Sequence, residues 1–118
     1  MAEKHTEYRP AAWMMYISGL AHLAAPFLSG FSYWSLLLVP AGLFWFAAGY
    51  LLIRHGSGVL AGLLFVLALI GSIAGLDMAL GNWPIAPPVG WVICLSDLGA
   101  ALLLFLRLWP SKAAPRTG

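Results

Sequence analysis

The feature that most constrains this chain is a repeated length. Four apolar runs of about 20 residues follow one another, separated by only a few polar or turn-forming residues. A helix needs about 20 apolar residues to cross the hydrocarbon core of a bilayer. With no water inside that core, the backbone must satisfy its own hydrogen bonds, and a helix does this within one segment. The pattern therefore predicts an all-α polytopic membrane protein. Its spans are expected at about 11–29, 31–53, 57–80 and 88–109, between tails 1–10 and 110–118. Composition excludes the soluble alternative: 8% of residues are charged and mean hydropathy is +0.89, against about 25% charged in soluble domains.

The connections carry turn chemistry. SGF (29–31) joins the first two runs and RHGSG (54–58) the next two. GNWPIAPP (81–88) is longer and holds three prolines, as suits an extended segment that ends at a helix start. Connections this short predict that sequential spans lie antiparallel in a four-helix bundle. Pro10 suits a first helical position and Pro110 a stop, while Pro40 predicts a kink in the second span.

The six basic residues set the expected orientation. Lys4, Arg9, Arg54, Arg107, Lys112 and Arg116 all fall in the N-terminal tail, the 54–58 turn, the C-terminal tail or their borders. Four crossings put those three regions on one side, which the positive-inside rule makes cytoplasmic. The expectation is N-in and C-in, in a bacterial cytoplasmic membrane, with the first span retained rather than cleaved as a signal. Tyr8, Trp13, Tyr16, Tyr50 and Trp109 would mark one membrane boundary, and Phe31, Tyr33, Trp34, Trp83 and Trp91 the other.

Two titratable residues fall deep in the spans. His22 lies eleven residues past Ala11, about 16 Å in, and Asp97 twelve residues before Trp109, about 18 Å from the same side. Equal depth predicts an intramembrane polar pair. It is expected to be a structural hydrogen bond between helices, or else a proton or cation site. On the fourth span Gly90, Cys94, Asp97 and Ala101 form one small-residue stripe. The third span repeats GxxxG at Gly58/Gly62 and Gly71/Gly75, which predicts that it is the most crowded helix of the bundle or carries a subunit contact. Asp77 is expected at the outer interface, near Asn82 and Trp83.

No catalytic set or metal cluster is expected. The single cysteine, Cys94, precludes an intrachain disulfide, and only one histidine is deep, which argues against an intrachain bis-histidine haem. The basic residues are too few for nucleic-acid binding. The leading expectation is a non-enzymatic accessory, assembly or scaffold component, with lipid and other membrane subunits or its own copies as partners and no cofactor. The alternative is a small proton- or cation-coupled transporter or channel using Asp97 and His22. In size and span number the layout is similar to the small multidrug resistance transporters. Those carry a glutamate in the first span, where this chain has His22 and no carboxylate.

Overall fold

The computed structural model describes residues 6–109. A 3-10 turn, Thr6–Tyr8, leads into four helices: α1 (Arg9–Ser29), α2 (Tyr33–His55), α3 (Gly58–Ala79) and α4 (Pro87–Leu108). All four are long and apolar enough to cross a membrane. The fold is an all-α, four-helix arrangement compatible with a membrane bundle. Lys4, His5, Pro110, Lys112 and Arg116 lie outside the described residues.

Helix limits follow local chemistry. α1 begins at Arg9, two residues earlier than expected, because proline is tolerated anywhere in a first turn and Pro10 sits inside it. α1 ends at Gly30, whose φ of +79° only glycine adopts without strain. The next turn is tied by serines: the Ser32 hydroxyl accepts from the Ser35 backbone N–H at 3.2 Å, and the Ser35 hydroxyl donates to the Gly30 carbonyl at 2.6 Å. α2 therefore starts at Tyr33, not at residue 31. Ser57 caps α3 by accepting from the Leu60 N–H at 3.1 Å. Two prolines stand inside helices. Pro40 was expected in α2; Pro26 in α1 is a second, and the helix runs on through both.

Packing depends on missing side chains. Between membrane helices there is no water to expel, so close backbone approach supplies the attraction. On α2, a Cβ at Gly42 would stand 2.8 Å from the Gly19 carbonyl oxygen, and one at Gly49 would stand 2.6 Å from the Tyr16 ring. On α4, a Cβ at Gly90 would stand 2.8 Å from the Gly75 carbonyl oxygen. Thus α1 packs on α2 and α3 on α4, and the α1–α4 contact joins the two pairs, whereas α2 and α3 barely touch. The Trp45 side chain of α2 fills the space between them and joins Met15, Leu64, Ala68 and Leu104 in the core. A mid-span tryptophan buried in this way was not anticipated from the boundary bands of aromatics. At the other end, the Ala86 N–H donates to the Ser29 hydroxyl at 2.7 Å, tying the end of α1 to the start of α4.

Candidate intramembrane site

Among the described residues, the polar groups inside the bundle fall into satisfied ones and one exception. Ser96 bonds back to the Val92 carbonyl of its own helix at 2.6 Å. The Ser72 hydroxyl of α3 donates to the Cys94 carbonyl of α4 at 3.2 Å and lies 3.6 Å from the Cys94 sulfur. Asp97 is the exception. It is 1% exposed, and neither carboxyl oxygen has a hydrogen-bond partner.

Three helices enclose that carboxyl. It occupies the volume that a side chain at Gly71 would need: a Cβ there would collide with Asp97 Oδ2 and stand 3.7 Å from Trp45 Cζ2. From α1, the Ser18 hydroxyl is near enough to interact with the carboxyl but lies outside hydrogen-bond geometry. A buried neutral group without a partner costs about 1–3 kcal/mol. An ionised one at a helix centre costs at least ~2.5–3.5 kcal/mol. A proton or a small cation on Asp97 would reduce the larger cost.

His22 is buried too, but no hydrogen bond joins it to Asp97. Its Nδ1–H donates to the Ser18 carbonyl one turn back on its own helix at 2.7 Å, and its Cβ faces Gly42 of α2. A carbonyl can only accept, so that bond places the proton on Nδ1. The direct pair expected from depth alone is thus not formed. Ser18 stands between instead, with its hydroxyl 3.5 Å from His22 Nδ1 and its other side toward Asp97. Equal depth was legible in sequence. Helix rotation, which turned His22 toward α2, was not.

The remaining site residues divide sharply. Gly75, Gly90, Cys94 and Ala101 are buried between α3 and α4, and Gly71 receives the Asp97 carboxyl. At Gly58 and Gly62 an added Cβ would meet nothing within 4 Å. No helix of this chain packs on these two positions: Gly62 and Gly71 are nine residues, or two and a half turns, apart, so the two glycine pairs face opposite ways, and in this half α3 buries Ala61, Leu64 and Ala68 instead. Asp77 is exposed at the end of α3. It accepts from Asn82 Nδ2 at 2.6 Å and from Trp83 Nε1 at 2.8 Å. Gly81, at φ +88°, turns the chain back so that both donors reach it.

Among the described residues no group of three His, Cys, Asp or Glu side chains is placed to hold a metal ion. Comparison with protein-family models, with characterised proteins and with solved structures finds no match.

Proposed function

We propose that this chain is an accessory or assembly component of a membrane complex, working through helix contacts. Its form is an antiparallel four-helix bundle in a bacterial cytoplasmic membrane, with both termini on the cytoplasmic side. The observation that carries this reading is the unfilled face at Gly58 and Gly62, which suits close approach by a helix of another chain. Contact order supports the antiparallel arrangement: Tyr16 meets Gly49 while Gly19 meets Gly42. The basic residues Arg9, Arg54 and Arg107, at the start of α1 and the ends of α2 and α4, support the orientation.

The open space makes the test clean. A Cβ at Gly58 or Gly62 meets nothing within 4 Å, so the thermal stability of Gly58→Leu with Gly62→Leu in detergent should stay within about 0.5 kcal/mol of wild type. The wild-type chain, purified from its native membrane in mild detergent, should carry a stoichiometric partner or further copies of itself by native mass spectrometry. The double variant should lose them. A wild type that is wholly monomeric, or a complex indifferent to both leucines, would overturn the reading.

A second reading rests on a different observation. The buried, unpartnered carboxyl of Asp97 supports a small proton- or cation-coupled transporter or channel. In proteoliposomes given a pH jump, wild type should then pass protons or cations and Asp97→Asn should not. Equal flux from the two would exclude it.

A further inference from the structure

Asp77 offers a carboxylate at the lipid-facing end of α3, and its surroundings are built for more than solvation. Ile70, Ile73, Asp77 and Leu80 are spaced 3, 4 and 3 apart, so they share one helix face. They line a groove of about 390 Å³ together with Ala74 and Leu76. A second cleft, of about 300 Å³, lies between Trp34 and the Asn82–Pro84 segment. Trp34 and Trp83 meet at 67° with ring centroids 5.7 Å apart, which makes an aromatic corner. Asp77 links the two spaces: it belongs to the apolar groove and holds the Trp83 indole by its Nε1–H.

Among the described residues no Lys or Arg side chain compensates the charge there. Asn82 and Trp83 are neutral donors, and each occupies one carboxylate oxygen. Each oxygen can accept a second hydrogen bond. The basic side chains among the described residues are Arg9, Arg54 and Arg107. Arg54 lies at the end of α2, beyond the start of α3 at Gly58, which is 19 residues or about 29 Å from Asp77, and its guanidinium donates to the Tyr50 hydroxyl at 3.0 Å. A ligand complementary to this place has an apolar chain for the Ile70–Leu80 groove. It also carries a cationic head with N–H donors for Asp77, and that head can rest against indole faces.

We propose that Asp77 with Trp34 and Trp83 binds the ammonium headgroup of an ethanolamine phospholipid, whose acyl chain lies along the Ile70–Ile73 face of α3. A lipid is the occupant because the groove opens on the exposed apolar surface of a candidate membrane span. The primary ammonium is preferred over choline because the free lone pairs of the carboxylate call for N–H donors, which choline lacks. Gly58 and Gly62 lie toward the other end of the same helix. Their substitution leaves this site intact.

The test uses the full chain in a neutral maltoside detergent. It is offered equal amounts of phosphatidylethanolamine, phosphatidylcholine and phosphatidylglycerol with identical acyl chains, and the bound lipid is read by native mass spectrometry. Wild type should retain the ethanolamine lipid several-fold over the glycerol lipid. Asp77→Asn removes the charge while its side-chain oxygen can still accept from Trp83, so it should fold normally and bring the two lipids to parity. Asp77→Glu should keep part of the preference. Equal retention by wild type, or a preference that survives Asp77→Asn, would overturn the proposal. Choline lipid held as well as ethanolamine lipid would overturn the assignment of an N–H-donating head.

Discussion

Gly75→Leu should prevent the chain from forming its four-helix bundle. A Cβ at this position would stand 2.6 Å from the Cys94 backbone nitrogen, 3.0 Å from its Cα and 2.9 Å from Ile93 Cγ2. Two of those three atoms belong to backbone and cannot rotate away, so α3 and α4 must separate. Separation breaks the Ser72–Cys94 hydrogen bond and opens the Gly90 contact with the Gly75 carbonyl. Overpacking typically costs about 1–3 kcal/mol and occasionally more, and a clash with backbone atoms belongs at the upper end. The variant should elute from size exclusion as aggregate and lack a cooperative thermal transition in detergent. The comparison is Gly62→Leu, the same substitution in the same kind of motif on the same helix, which should melt with wild type. A Gly75→Leu protein that melts within a few degrees of wild type would mean that α3 and α4 do not pack as described.

Asp97→Ala should have the opposite sign. The wild-type carboxyl is buried, and neither of its oxygens has a hydrogen-bond partner. Removing an unsatisfied buried polar group recovers a desolvation cost of about 1–3 kcal/mol, from which the small void left behind takes a part. The alanine variant should therefore be more stable than wild type by about 1 kcal/mol in a detergent melt. Asp97→Asn, which keeps a polar group in the same place, should gain little. If the alanine variant were instead less stable by about 1 kcal/mol or more, Asp97 would be making a structural hydrogen bond of the kind first expected from the sequence. A stabilised Asp97→Ala protein that has also lost flux would identify a carboxyl kept at a cost to stability for what it binds.

The two experiments separate what the proposals share. Gly58 and Gly62 concern what lies outside the chain, and Asp97 what lies inside it. Losing a partner through the first pair should leave the stability effect at Asp97 unchanged, since a side chain added at either glycine starts into open space.

How far the sequence could be read depends on which residues are considered. The small-residue stripe of α4 was legible because Gly90, Cys94, Asp97 and Ala101 recur at helical spacing, and all four are buried. Asp77, Asn82 and Trp83 could be grouped because they lie within six residues, although not that Asn82 and Trp83 each donate to the carboxylate. Trp45 gave no signal. An aromatic in an apolar run reads the same whether it faces lipid or fills the space between α2 and α3. Ser18 was legible only as a small neighbour of His22. Its position between the imidazole and the Asp97 carboxyl depends on how α1 is rotated against α4.

The sequence by itself determined the four helices, their approximate ends and their suitability for a membrane. Those properties are local: each follows from the length of an apolar run, from a proline in a first turn, or from a serine or glycine at a cap. Only the tertiary structure decided which half of the glycine pattern on α3 is used. Gly71 and Gly75 face α4 while Gly58 and Gly62 face outward, although the two GxxxG repeats are alike as sequence. It also decided that His22 bonds to its own helix and leaves Asp97 unpaired. The physical reason is the same in both cases. Depth along a helix is set by counting residues, but the direction a side chain points is set by the neighbour the helix packs against.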